Sequence, residues 1–351
     1  LLDEVEKYLD QSVAMTRAEE NIEAFENIVL NIRNKVETDT ESVSMQKIPI
    51  LQTEEELLSY IPLGLNDEYD QGMRFSKQDL ILLGGRRGAG KSFTCTNIAV
   101  NQYLQDQGSL YFTIEMTKEQ VFRRMVSTAT GIPLKRLQDR MISDMEYDTL
   151  AKFQAGRFDG GDTILKRFLE NRDFDKFQTD ITKLELRPEA QMDIVYEPSL
   201  TLAKIRAEIE HRVATQNIKV VIVDYLNQVK RSNVPSRNGQ YDWTEQIEVS
   251  KALKQYAQDY EVLIFSPYQT DATGEARFAK GILDAADAAY SLETWSPIDA
   301  CITFDCKKMR NGPMDSFTSE MEWDTLKIGP RSAINPKDKA QMRAEMEEED
   351  D

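Results

Sequence analysis

The stretch Gly85-Arg-Arg-Gly-Ala-Gly-Lys-Ser92 constrains this chain most, because it fits G-x-x-x-x-G-K-[ST], the phosphate-cradling P-loop. Residues 79–83 (Asp-Leu-Ile-Leu-Leu) read as a buried strand leading into it, and residues 91–104 as a helix leading out. A strand–loop–helix unit of this kind is the building block of an α/β fold with a parallel sheet. Glycines let backbone N–H groups converge on phosphate oxygens, and the helix N-terminus adds partial positive charge. The expected cradle for a nucleoside triphosphate, ATP, is Gly85, Gly88, Ala89, Gly90, Lys91, Ser92 and Phe93. In it Lys91 reaches the β- and γ-phosphates, and the Ser92 hydroxyl ligates Mg2+.

From residue 79 onward, apolar strands and amphipathic helices alternate. Strands are expected at 109–114, 193–196, 219–223 and 262–266, and helices at 118–128, 202–215 and 243–260. Residues 133–190 are charged and mostly helical, interrupted at Gly160-Gly161. Strands at 288–292, 298–305 and 317–323 suggest an antiparallel extension. The expected fold class is α/β: a mostly parallel twisted sheet flanked by helices on both faces, preceded by a helical segment. Three regions follow: a helical N-terminal and linker segment (1–46), an ATPase domain (47–336) and an acidic, disordered tail (337–351).

Charge sharpens that division. The chain carries a net −18, but residues 1–70 hold 17 acids against 5 bases, and residues 337–351 hold 7 acids against 3 bases. The intervening core is close to neutral and can present local basic loops to a polyanion. The acidic ends fit solvated faces or docking tails. Three cysteines and one histidine rule out the common zinc frameworks. No apolar run reaches the 18 or so residues of a membrane span. The opening Leu-Leu-Asp-Glu-Val-Glu-Lys is too acidic for a secretory signal, so the expected setting is cytoplasmic, or a host's cytoplasm for a viral chain. The missing initial methionine suggests that Leu1 is not the natural start.

A magnesium–nucleotide site needs a second carboxylate. Asp224, closing the apolar strand Lys-Val-Val-Ile-Val, fits that role, with a turn or capping aspartate as the structural alternative. Tyr225 follows it, so the general base must come from another strand. Glu115, at the end of the strand after the P-loop helix, is placed to orient an attacking water. Two polar, basic loops are candidates for backbone contact with single-stranded DNA. The first, after Asp224, holds Lys230, Arg231 and Arg237; the second holds Arg277, Lys280 and Gly281. Lacking an aromatic platform, they favour phosphate tracking over base stacking.

From about residue 61 to 324 the sequence resembles the RecA-like core of the DnaB family of ring-shaped replicative helicases. The P-loop is the generic part of the match. More specific are Ile-Glu-Met-Thr-Lys-Glu-Gln at 114–120, Gly-Ile-Pro-Leu-Lys-Arg-Leu at 131–137, Ser-Leu-Thr-Leu-Ala-Lys-Ile-Arg at 199–206, Val-Ile-Val-Asp-Tyr-Leu at 221–226, Glu-Val-Ser at 248–250 and Lys-Lys-Met-Arg-Asn-Gly-Pro at 307–313. The resemblance implies a homo-hexamer that hydrolyses ATP with Mg2+, moves 5′ to 3′ on single-stranded DNA and meets primase and other replisome proteins. It implies that Lys308 and Arg310 act in trans on a neighbour's γ-phosphate, and that Gln269 senses that phosphate. The chain departs from the family in two ways. Only an acidic stretch of about 70 residues precedes the core, and the 138–190 region is longer than usual. A compact, divergent, phage-type member would fit. Two other classes share the P-loop core: a RecA-like recombinase filament, and a KaiC-like ATPase ring that ignores DNA. The basic pair at 308 and 310 and the two basic loops favour the helicase.

Overall fold

The computed structural model describes residues 45, 50–73, 75–187, 191–231, 243–270, 279–294 and 300–333. The expected helical segment at 1–46, apart from Met45, the tail at 337–351 and most of both basic loops lie outside them. Contacts divide the chain into residues 1–57 and 58–351. Of the first unit only Met45 and residues 50–57 are described, including most of a short helix, Glu54–Leu58 (α1).

The second unit is built on one nine-stranded sheet. In chain order its elements are α2 (Asp67–Gly72), β1 (Leu80–Gly85), α3 (Lys91–Leu104), β2 (Gly108–Thr113), α4 (Lys118–Thr130), α5 (Leu134–Gln138), α6 (Asp144–Ala155), α7 (Gly161–Asn171), α8 (Phe174–Ile181), β3 (Met192–Tyr196), α9 (Leu202–Thr215), β4 (Ile218–Asp224), α10 (Trp243–Asp259), β5 (Leu263–Gln269), α11 (Ala279–Asp284), β6 (Ala288–Thr294), β7 (Cys301–Met309), β8 (Phe317–Glu322) and β9 (Lys327–Ser332). Strand order is β3-β2-β4-β5-β1-β6-β7-β8-β9. The first six are parallel, and β7, β8 and β9 add on antiparallel.

The period-2 geometry of strands explains why β1 and β4 are apolar throughout. Ile81, Leu83, Val220 and Ile222 point to one face, where they meet Cys95, Ile98 and Ala99 of α3 and Val121 and Met125 of α4. Leu80, Leu82, Val221 and Val223 point to the other, against Ile205 and Ile209 of α9 and Val249 and Leu253 of α10. Helix starts follow their caps. Thr117 closes a capping box with Gln120 at the head of α4, and the Thr201 side chain accepts from the Lys204 N–H at the head of α9.

The 133–190 region is helical, as its composition suggests, and α6, α7 and α8 close over a small core of their own: Ala151, Ala155, Phe168, Phe177 and Ile181. The break at Gly160 is a left-handed residue, φ 76°, at the entrance to α7. The antiparallel extension differs from expectation in two details. The strand expected at 298–305 instead runs Cys301–Met309, so Lys308 lies within β7. A further strand, β9, closes the edge, and of its six residues only Ile328 is buried.

Candidate active site

Register brings the sequence-selected residues to one edge of the sheet. Gly85 of β1 lies opposite Gln269 of β5, and Thr113 of β2 opposite Asp224 of β4, so Glu115, two residues past Thr113, emerges beside Asp224. This is the carboxyl edge of the parallel strands, where ligands bind in open α/β sheets. The cleft there has a volume of about 380 Å3 and is lined by residues 87–93 together with Glu115, Arg124, Asp224, Tyr225 and Gln269.

The loop from β1 to α3 turns through two left-handed glycines, Gly88 (φ 84°) and Gly90 (φ 83°), the second being the N-cap of α3. A side chain at Gly90 is excluded twice over: its Cβ would lie 2.9 Å from the Ile302 side chain, and φ itself is unfavourable for L-residues. Lys91 curls back over this loop and donates to the carbonyls of Gly85 and Arg86, both at 2.7 Å. Burial holds the Lys91 ammonium below the usual lysine range, and the nearby Asp224 carboxylate pulls it back up.

Asp224 is buried, and burial raises its carboxyl above the usual carboxylate range. Hydrogen bonds from the Tyr111 hydroxyl, at 2.7 Å, and from the Ser92 side chain oppose that rise. The oxygens of Ser92 and Asp224 are therefore adjacent, a hard-ligand pair of the kind that holds Mg2+ when phosphates supply the remaining ligands. Among the described residues no group of three His, Cys, Asp or Glu is placed to hold a metal by itself.

Glu115 is exposed, and its Oε1 accepts from the Tyr225 hydroxyl at 3.1 Å and from Gln228 Nε2 at 2.8 Å. Gln228 also donates to the Tyr225 hydroxyl at 2.7 Å. Two residues following the Asp224 strand thus fix the carboxylate that faces the cleft. Gln269 ends β5, and Ser266, three residues before it, is buried and donates to the Val223 carbonyl. The Gln269 backbone N–H donates to Asn227 Oδ1 at 2.8 Å.

Arg124, Arg87 and Tyr225 belong to the cleft but were not singled out from sequence. Arg124 projects from α4 over the Phe93 ring, 5.1 Å from its centroid, and lies close enough to Asp224 to favour that carboxylate's charged form. In sequence it is one cation of the pair Arg123-Arg124 on an amphipathic helix; only tertiary packing distinguishes it.

Lys308 and Arg310 are elsewhere. Ile81, at the start of β1, lies opposite Ala288, which in turn lies opposite Met309. The pair therefore stands at the amino edge of the sheet. Ile302, by contrast, is at the P-loop edge beside Gly90. The intervening stretch of β7 spans roughly 25 Å, more than either side chain can bridge.

Of the basic-loop candidates, Lys230 is exposed and its backbone bridges to Thr201, while Arg231 pairs with Glu248 at 2.7 Å. Such an exposed pair is worth about 0–1 kcal/mol, so a phosphate can displace it. Gly281 sits in α11 where its Cβ would lie 2.4 Å from the Ile247 side chain, which gives it a packing task between α11 and α10. Arg237 and Arg277 lie outside the described residues, and so does the Lys280 side chain.

A family model for the DnaB-like helicase C-terminal domain matches residues 64–281, more than half of the chain. The chain belongs to that family. Its curated relatives include a probable replicative DNA helicase of Trieres chinensis, 26% identical over 216 residues, covering 61% of this chain and 40% of the relative. The replicative DNA helicase DnaB of Helicobacter pylori is 25% identical over 259 residues, covering 73% and 44%. The chain thus spans about two fifths of the length of these DnaB-family relatives. Similar folds among solved structures are an ATPase domain (TM-score 0.58, 14% identity, covering 88% of this chain and 98% of that one) and a DnaB-like replicative helicase studied for its interactions with primase (TM-score 0.61, 13% identity, covering 93% and 74%). These likenesses support the RecA-like sheet. Among the described residues no helix is long and apolar enough to cross a membrane.

Proposed function

We propose that this chain is the ATP-driven motor of a hexameric replicative DNA helicase that moves 5′ to 3′ along single-stranded DNA. One observation carries the reading: the site is divided between the two edges of one sheet. The cradle, Ser92, Asp224 and Glu115 share a cleft, while Lys308 and Arg310 stand at the far edge, out of reach of their own chain's cleft. A closed ring gives every cleft such a neighbour.

Residues 85–93 bind the triphosphate, and Lys91 exchanges its loop carbonyls for β/γ-phosphate oxygens. Ser92 and Asp224 hold Mg2+, which neutralises charge on the β- and γ-phosphates when bound. Glu115, fixed by Tyr225 and Gln228, orients the attacking water and accepts its proton. Gln269 contacts the γ-phosphate side of the cleft. Lys308 and Arg310 of the adjacent copy stabilise the charge on the transferring group. The loops holding Lys230, Arg231 and Arg237, and Arg277 and Lys280, track the DNA backbone. Primase and other replisome proteins are the expected partners. A reducing cytoplasm is the expected setting, a reading that the three buried free thiols support.

Imaging with single-stranded DNA and a slowly hydrolysed ATP analogue tests this directly. Closed six-membered rings threaded by DNA are expected, together with unwinding of a forked duplex that has a free 5′ tail. Open filaments point to a recombinase. Rings indifferent to DNA, with no unwinding, overturn the helicase reading. Neutralising Arg277 and Lys280 should also lower the salt slope of binding by roughly 1 to 2.

A further inference from the structure

The far edge of the sheet contains a buried carboxylate that the chemistry above does not use. Asp287 lies between α11 and β6 with a side chain only 7% exposed. One carboxylate oxygen accepts from Lys254 Nζ at 2.6 Å and from the Leu80 N–H at 2.8 Å; the other accepts from Arg310 Nη1 at 2.8 Å. The backbone adds a second tether, because the Arg310 N–H donates to the Asp287 carbonyl at 2.8 Å. Lys308 is fixed beside it, donating to the carbonyls of Leu283 and Asp284 at the end of α11. That helix is itself held on α10 by the Ser250 hydroxyl, which donates to the Ile282 carbonyl at 2.8 Å.

We infer that Asp287 is a positioning residue for Arg310: it aims the guanidinium outward at the neighbouring copy's γ-phosphate. The inference rests on the shared-site reading above. Three features of the geometry support it. The bonds of Asp287 to Lys254 and Arg310 are charge-assisted, and burial of the carboxylate strengthens them. Arg310 commits Nη1 to Asp287 while its side chain remains 48% exposed, and an arginine's five N–H donors leave others for a phosphate. Lys254 of α10 and the Leu80 N–H of β1 both hold the opposite carboxylate oxygen of Asp287, so the aim is set by the fold and not by a mobile side chain.

Subunit mixing gives the test. Asp287→Asn protein should bind nucleotide with unchanged affinity, since its own cleft is intact, yet hydrolyse about 10- to 100-fold more slowly because the finger is misplaced. Mixing it with Lys91→Ala protein, which supplies correctly aimed fingers, should restore hydrolysis above that of either parent. The double variant Asp287→Asn/Arg310→Ala should be no slower than Arg310→Ala alone. Should Asp287→Asn fail to give nucleotide-binding protein, Asp287→Glu takes its place: it keeps the charge on Lys254 but displaces Arg310 by one methylene, and the same rescue is expected. The Arg310→Ala and Lys91→Ala pair is the control. If the control recovers activity and the Asp287 pair does not, or if the double variant loses further rate, the positioning role falls and the shared site stands. If the control itself stays inactive, the shared site falls and this inference with it.

Discussion

At the carboxyl edge of the sheet, Lys91 and Ser92 at the head of α3, Glu115 just past β2 and Asp224 at the end of β4 meet in one cleft, Ser92 bonding Asp224 while Lys91 bonds the loop carbonyls. At the amino edge, Lys308 and Arg310 are satisfied by Asp287 and by the end of α11. Both edges place charge in costly surroundings, but with opposite consequences. The cleft gathers unlike groups around an open volume, so its bonds are there to be exchanged for a ligand. The far edge ties Arg310 to one buried anion and Lys308 to the carbonyls at the end of α11, and leaves the guanidinium half-exposed. On the proposed reading one edge receives substrate and the other delivers charge to a neighbouring copy, since roughly 25 Å of β7 separates the two within one chain.

The largest expected effect lies at the far edge. Arg310→Ala in every subunit should slow ATP turnover by about 10³-fold, the scale of a lost arginine finger, with nucleotide affinity retained. Next comes Lys91→Ala at the cleft, where turnover should fall roughly 10²–10³-fold and nucleotide binding should weaken as well. A binding assay beside a phosphate-release assay separates the two edges: far-edge loss spares affinity and cleft loss does not. If both variants lose affinity alike, the division is wrong. Glu115→Gln should keep nucleotide binding and lose about 10²-fold in rate. Turnover at the parental rate would remove Glu115 as base.

The contrast between edges also explains what the sequence made legible. The P-loop, Glu115 and Asp224 are each tied to the end of an apolar strand, and strand ends are readable from a run such as Lys-Val-Val-Ile-Val-Asp, whereas Gln269 came only from the family resemblance because the expected strand stopped at 266. The helix Leu202–Thr215 was placed residue for residue because its cap and apolar spacing agree. Asp287 was not legible. It sits in Ala-Asp-Ala-Ala and acquires meaning only when strand pairing brings it to Lys254, 33 residues away, and Arg310, 23 residues away. Arg124 was hidden for the same reason, its position depending on Phe93 in another helix. β9 was missed because Lys-Ile-Gly-Pro-Arg-Ser is an edge strand with one buried side chain, too weak a pattern to read. The independent core of α6, α7 and α8 was visible as helix but not as a separate packing unit.

A smaller effect sharpens the cleft side. Because burial raises the Asp224 carboxyl, the folded protein keeps that proton to higher pH than the unfolded chain does. Its contribution to stability therefore falls as pH rises through the window above the ordinary value of 3.8. At neutral pH, Asp224→Asn should raise the melting temperature of nucleotide-free protein by about 2 °C while abolishing Mg2+-dependent turnover. The gain should vanish once pH falls below the ordinary carboxylate value. A lower melting temperature at neutral pH would mean that the hydrogen bonds from Tyr111 and Ser92 outweigh the desolvation.

The division of one site between two chains is tested most directly by mixing Arg310→Ala and Lys91→Ala proteins after subunit exchange has been verified with labelled chains. Wherever an Arg310→Ala subunit offers its intact cleft to the intact finger of a Lys91→Ala neighbour, a complete site forms. With independent sites and random assembly at equal amounts, about a quarter of the clefts are complete, and hydrolysis should approach that fraction of the parental rate. A mixture that exchanges freely and stays as inactive as its parents would place Arg310 in its own subunit's chemistry and contradict the account.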